Sequence, residues 1–177
     1  MYNFASTPTS RGFDHFYGYF NGAEDYLTHE IQNYLDLHDD KVVDFNRTDE
    51  YSAILFQQQV EMRIRAHKAA SPDDPLFLYY PMQTVHAPLE ALDVYSQGPL
   101  CASIANADRK TFCGMAAAAD DAVGNLTKVL DEVFPGEGEK GETRRERVRE
   151  CESKRERGEE RKRTHLVTRP PTCMHRA

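Results

Sequence analysis

One histidine follows a run of apolar residues and is the first position in the sequence that could do chemistry. The run, Leu76–Tyr80, has the length of a β-strand and is flanked by turn residues, and His86 lies in the segment that leaves it, Pro81–Leu89. In open α/β sheets, ligands bind beyond the carboxyl ends of the strands. An imidazole there could bind an anion or transfer a proton, and it could equally be a hydrogen-bonded structural residue.

Three acidic pairs are the other groups with a possible chemical role, since divalent cations favour clustered carboxylates. Neighbouring side chains on a helix or strand point in different directions, so we interpret these pairs as solvated charges: Asp39-Asp40, Asp73-Asp74 and Asp120-Asp121. Four further histidines have no spacing that marks a site: His15, His29, His38 and His67. The sequence therefore predicts no metal site.

The cysteines and the motif search are mainly negative. The four cysteines, Cys101, Cys113, Cys151 and Cys173, include no Cys-x-x-Cys pair and no matching histidine pair, which argues against structural zinc. We interpret them as buried or incidental thiols. The sequence also lacks Gly-x-Ser-x-Gly, Gly-x-x-x-x-Gly-Lys and Gly-x-Gly-x-x-Gly, the motifs of nucleophile elbows, phosphate loops and dinucleotide folds.

The order of the predicted elements is that of an α/β protein. Residues 1–30 are rich in Gly and aromatic residues and predict short strands and packed loops. Residues 51–70 contain no Gly or Pro and predict a helix that ends at Ser71-Pro72. Residues 106–133 predict a long amphipathic helix, because apolar residues recur at steps of three and four: Phe112, Met115, Ala119, Val123, Leu126, Val129 and Val133. Between the helices, Leu76–Tyr80 predicts a strand buried on both faces.

Composition divides the chain near residue 134. The 177 residues carry a formal net charge of −7, yet residues 135–177 contain 13 Lys and Arg against 9 Asp and Glu, and no Phe, Tyr or Trp. A segment with no aromatic residue and few aliphatic ones cannot bury enough apolar surface to offset its ordering entropy. We therefore predict a partial globular domain over residues 1–134 and a disordered, low-complexity charged tail over residues 135–177.

The first two thirds of the tail consist almost entirely of four amino acids. From Gly136 to Arg163 nearly every residue is Glu, Lys, Arg or Gly, all of which have codons made only of purines. One hypothesis is that the tail is read-through of a low-complexity stretch, and the alternative is a basic interaction tail.

Several partners and compartments are excluded or favoured by simple features. The acidic net charge argues against nucleic acid as a partner. No apolar run approaches the roughly 20 residues that cross a bilayer, and residues 1–10 lack the pattern of a secretory signal. The chain as printed is therefore expected to be cytosolic. Two glycosylation sequons begin at Asn46 and Asn125.

Three blocks, taken together and in order, resemble the arylsulfatases, closest to the arylsulfatase B type. The blocks are Pro8–Tyr19 followed by Ala23–Glu30, then Leu76–Leu89 with Thr84-Val85-His86-Ala87-Pro88-Leu89, and then Tyr95–Leu130 with Asp120-Asp121-Ala122-Val123-Gly124-Asn125. The resemblance implies an alkaline-phosphatase-like α/β fold, a mixed sheet flanked by helices. It also implies hydrolysis of aryl or sugar sulfate esters, a calcium cofactor, and a lysosomal or secreted, glycosylated parent enzyme.

Only one residue carries over from that family's active site. His86 matches its histidine that contacts the sulfate ester and helps to protonate the leaving oxygen. No cysteine here stands in the Cys-x-Pro/Ala-Ser-Arg motif that yields the formylglycine nucleophile, and the family's calcium ligands have no counterpart in the 177 residues. We therefore expect an incomplete sulfatase domain that is inactive alone. The alternatives are a hydrolase completed by a second chain, and a non-catalytic binding protein that uses the retained face and the basic tail.

Overall fold

The structure is a computed structural model and describes residues 4–135. The chain divides into two compact units, Met1–Val133 and Phe134–Ala177, and the fold below is that of the first. The predicted disorder of the tail falls on residues 136–177, outside the described residues, and stays a prediction.

The first half of the unit is built from short antiparallel strands. A three-stranded sheet has the order β1-β4-β5, and a separate hairpin pairs β2 with β3. The hairpin turn, Gln32-Asn33, has both residues at positive φ (52° and 67°), which is the backbone of the two-residue turns whose twist suits paired strands. Two 3-10 turns, Phe4–Ser6 and Pro8–Arg11, precede strands β1 Tyr17–Tyr19, β2 Glu30–Ile31, β3 Tyr34–Leu35, β4 Leu37–Asp39 and β5 Val42–Val43.

The second half is helical, as predicted. Helix α1 spans Ser52–Ala70, the short α2 spans Asp93–Ser96, and α3 spans Ala107–Val133. Helix α3 begins after Asn106, whose side-chain oxygen accepts the Arg109 N–H at 2.9 Å and so satisfies one of the free amide groups of the first turn. None of the described helices is long and apolar enough to cross a bilayer.

The buried face of α3 matches the predicted one in part. Met115 and Val129 are buried as predicted, whereas Phe112 and Val123 are 46% and 53% exposed. The remaining buried residues are small: Gly114, Ala118 and Ala122. The periodicity of large apolar residues did not identify them, because the helix packs closely against α1 and α2 through these small residues.

Two clusters form the core, and each includes residues of α1. One contains Tyr26, Tyr51, Ala53, Met115 and Ala118, and the other contains Leu37, Leu55 and Phe56. The rings of Tyr26 and Tyr51 are stacked with their centroids 5.6 Å apart. The first cluster joins the N-terminal loops to α1 and α3, so it holds the strand-rich half of the unit on the helical half.

The prediction of a buried strand at Leu76–Tyr80 is wrong within residues 4–135. None of these residues belongs to a strand of either described sheet, and Phe77 and Tyr79 are 76% and 70% exposed. Only Tyr80 is partly buried, against the Leu37 cluster, and this burial raises its pKa to about 12. Apolar content predicts the capacity to form a strand, but a central strand also needs neighbouring strands on both sides to pair with. The described residues contain no strand that pairs with Leu76–Tyr80.

The interpretation of the cysteines as buried or incidental thiols is also wrong for two of them, which form a disulfide. Cys101, fully buried in the segment after α2, forms a disulfide with Cys113 in α3, with the Cα atoms 5.8 Å apart. A separation of 12 residues has no recognisable signature, because the pairing depends on how the 97–106 segment folds back on α3. Cys151 and Cys173 lie outside the described residues.

Two glycines of α3 provide a matched test of how closely α2 and α3 approach. A Cβ on Gly114 would lie 2.9 Å from the backbone nitrogen of Ser96, whereas a Cβ on Gly124 would meet nothing within 4 Å. We expect Gly114→Ala to lower the free energy of unfolding by about 1–3 kcal/mol through overpacking. Gly124→Ala should raise it by up to about 1 kcal/mol, since Ala favours helix. Urea denaturation measures both, and equal effects of the two substitutions would contradict this packing.

Candidate active site

A buried tyrosine hydrogen-bonds the backbone of the loop that carries His86. Tyr26 is fully buried, and its hydroxyl oxygen lies 2.9 Å from the carbonyl oxygen of His86 and 3.1 Å from that of Gln83. Burial raises the pKa of Tyr26, so the phenol stays protonated and remains a donor to these carbonyls. The His86 N–H in turn donates to the Gln83 carbonyl at 2.8 Å, which closes the turn.

The side chain of Gln83 fixes the start of the same loop. Its amide nitrogen donates to the carbonyl of Glu24 at 2.8 Å, and its amide oxygen accepts a hydrogen bond from the Ser52 hydroxyl. Gln83 and Ser52 are both buried. Since a buried polar group is costly unless it is paired, these bonds select one conformation of the loop.

A glutamate holds the other end of the loop. The Glu90 carboxylate accepts the Tyr26 N–H at 2.8 Å, and the Glu90 carbonyl accepts the Tyr51 hydroxyl at 2.9 Å. Burial, followed by a hydrogen bond with Asp25, raises the pKa of Glu90. The His86 loop is thus connected at both ends to the Tyr26–Tyr51 core.

The imidazole of His86 is exposed and its tautomer follows from its contacts. Nδ1 lies 2.7 Å from the carbonyl oxygen of Ala87, and a carbonyl only accepts, so Nδ1 carries the proton. Nε2 is left as the atom that can take up or deliver a proton. Such an imidazole on a firmly held loop is suited to general acid–base chemistry.

A buried carboxyl–imidazole pair lies beneath this loop and was not identified from the sequence. Glu24 Oε1 is 3.3 Å from His29 Nδ1, and both side chains are inaccessible to solvent. Burial raises the pKa of Glu24 against the opposing influence of His29. Because the Glu24 carbonyl holds Gln83, the pair belongs to the support of the His86 loop. A spacing of five residues in a loop gave no indication of it.

The structure also brings together His15, Asp39 and Asp40. His15 Nδ1 lies 3.5 Å from Asp39 Oδ1 and 3.2 Å from Asp40 Oδ1. The sequence did not indicate that these residues meet, and the pairing of β1 with β4 brings them together. Within residues 4–135 they are the one group of side chains close enough to hold a metal ion. The expectation that they hold none stays a prediction. Calcium takes six to eight oxygen ligands, so one imidazole and two carboxylates do not form the calcium site that the family resemblance implies.

Both sequons lie on the surface. Asn46 is exposed in the loop after β5, and Asn125 is exposed in the middle of α3. The Thr127 hydroxyl of the second sequon donates to the Val123 carbonyl at 2.9 Å. Their glycosylation stays a prediction.

The fold and this loop define an α/β protein with one solvent-facing histidine on a firmly supported turn. Residues 1–134 match the model of the sulfatase family, described as Sulfatase. The chain therefore belongs to the sulfatase family.

Two relatives place the chain within that family. It is 35% identical to Arylsulfatase J of Mus musculus over 131 residues, which is 70% of this chain and 21% of the mouse protein. The crystal structure of Ps i-CgsB superposes with a TM-score of 0.63 at 26% identity, covering 73% of this chain and 31% of that protein. The same protein in complex with k-i-k-neocarrahexaose gives the same values. The α/β, alkaline-phosphatase-like sulfatase fold expected from the sequence is thus confirmed for part of the domain, since the chain spans a fifth to a third of these relatives.

Proposed function

We propose that this chain supplies the histidine side of a sulfate-ester site, with His86 as the proton donor to the leaving oxygen. The observation that supports this is the supported loop: Tyr26, Gln83 and Glu90 fix the backbone on both sides of an exposed imidazole. Nδ1 donates to the Ala87 carbonyl, so Nε2 is the ring nitrogen that would carry the transferable proton of the imidazolium, and the ring returns to the neutral Nδ1–H form when that proton passes to the leaving oxygen. The sulfatase family acts on sulfate esters, which sets the substrate class.

The residues of this chain supply only the acid for the leaving group in that reaction. Sulfate transfer requires a nucleophile, positive charge on the sulfate oxygens and an acid for the leaving group. Formylglycine would supply the nucleophile and calcium the charge in the whole enzyme. The 177 residues contain no Cys-x-Pro/Ala-Ser-Arg motif, and the described residues offer no set of oxygen ligands that fits calcium. We therefore expect the chain alone to be inactive.

The magnitude of acid catalysis explains why one histidine is insufficient. General acid catalysis contributes about 10²–10⁴-fold, whereas enzymes accelerate reactions by about 10⁶–10¹⁷-fold. Turnover of a chromogenic aryl sulfate, with calcium present and with co-expression of the enzyme that makes formylglycine, should equal the buffer rate. His86→Ala should give the same result, as should the matched control His67→Ala on α1. Turnover above background that disappears only in His86→Ala would instead indicate a hydrolase whose active site is completed by a second chain.

We further propose that the parent protein folds in an oxidising compartment, secreted or lysosomal, and carries sugar at Asn125 and Asn46. The Cys101–Cys113 disulfide supports the compartment, because such bonds form and persist in secreted and luminal proteins. The exposure of both asparagines supports the modification.

A further inference from the structure

We propose that His15, Asp39 and Asp40 form a binding site for a divalent transition-metal ion, with Zn²⁺ as the ion that fits best. The site lies where the residues before β1 meet the turn between β4 and β5. It is independent of the His86 loop and of the calcium that the family uses.

The backbone places the three side chains together. Tyr17 of β1 pairs with Asp39 of β4, so the residues before Tyr17 lie beside the turn that follows Asp39. The Asp40 N–H donates to the Phe16 carbonyl at 2.8 Å, and the Phe16 N–H donates to Asp40 Oδ1 at 2.8 Å. Asp40 has a φ of 55°, a conformation that this pair of bonds supports. The Asp40 carboxylate is thereby fixed before any ion arrives.

Two of the three distances between the donor atoms match those around a tetrahedral ion. Bonds of about 2.0–2.1 Å from zinc to nitrogen or oxygen place neighbouring ligands about 3.3 Å apart in a tetrahedron. His15 Nδ1 lies 3.2 Å and 3.5 Å from the two carboxylate oxygens, and all three atoms lie within 4.8 Å of one another. One ion can therefore contact all three after small side-chain rotations.

The chemistry of the donors selects the class of ion. Imidazole nitrogen favours zinc and other late transition metals, whereas calcium and magnesium favour oxygen alone. The two carboxylates neutralise a doubly charged ion. Asp39 and Asp40 are 54% and 47% exposed, while His15 is 22% exposed, so an ion can enter from solvent and keep water in a fourth position.

Calorimetric titration of the full chain with Zn²⁺, and separately with Ca²⁺, tests this site. Free thiols are first alkylated under non-reducing conditions, which preserves the Cys101–Cys113 bond. The readout is the difference between variants, because any exposed histidine of the chain can contribute weak zinc binding to the total. We expect His15→Gln to lose one equivalent of Zn²⁺ relative to the unsubstituted chain, with no change for Ca²⁺.

Two further variants complete the experiment. Asp39→Asn should weaken the same equivalent about tenfold or more, and it keeps the β4 backbone intact if His15→Gln fails to fold. His67→Gln changes a histidine outside the cluster and should leave that equivalent unchanged. Circular dichroism without metal establishes that the variants are folded. Zinc binding that is equal in the unsubstituted chain, His15→Gln and Asp39→Asn would overturn the proposal.

Discussion

Replacing Tyr26 by Ala should lower the free energy of unfolding by about 3–5 kcal/mol, the cost of truncating a fully buried aromatic residue. Tyr26 is 0% exposed, stacks on Tyr51 and donates to the backbone of the His86 loop. Its removal therefore creates a cavity in the first core cluster and removes the hydroxyl donor of the His86 carbonyl, while the Gln83 carbonyl keeps its bond from the His86 N–H. Urea denaturation at neutral pH measures the loss.

Tyr26→Phe separates the two contributions. The ring is kept and only the hydroxyl is lost, so we expect a cost of about 1–3 kcal/mol from the hydrogen bonds that the hydroxyl donates to the loop. The matched control is Tyr34→Ala, a tyrosine that is 76% exposed in β3 and whose substitution should change stability by at most about 0.5 kcal/mol. A Tyr26→Phe chain as stable as the unsubstituted one would mean that the phenol does not hold the loop.

The second large effect concerns the Cys101–Cys113 disulfide. The two cysteines are 12 residues apart in the sequence. The double substitution Cys101→Ser and Cys113→Ser should lower the free energy of unfolding by about 3 kcal/mol, the value expected for a cross-link that closes a loop of this length. Reduction should destabilise the unsubstituted chain by a similar amount and should have no effect on the double variant. A reductant that destabilises both chains equally would contradict the assignment of the bond.

The sequence predicted the elements whose formation is decided locally. Helix α1 begins and ends within one residue of the predicted range, because an uninterrupted run of helix-forming residues is stopped by Ser71-Pro72. Helix α3 was predicted from a different local signal, the recurrence of apolar residues at steps of three and four. The family and the place of His86 on a loop were accessible because motifs in a fixed order carry more information than any single residue.

The features that the sequence did not predict depend on contacts between distant residues. The Cys101–Cys113 bond, the Glu24–His29 pair and the meeting of His15 with Asp39 are each set by how loops fold back on one another. Tyr26 is 57 to 60 residues from the carbonyls that it contacts. No local pattern encodes such distances.

The exposed run Leu76–Tyr79 has a consequence for the behaviour of the chain in concentrated solution. An uncharged, strand-forming segment with unpaired backbone is a template on which another chain can add. Pro75 and Pro81 lack the N–H that pairing requires, so they confine any such contact to the five residues between them. The net charge of −7 opposes close approach of two molecules. Colloidal stability therefore depends on ionic strength, because the Debye length falls from about 10 Å at 0.1 M salt to about 3 Å at 1 M.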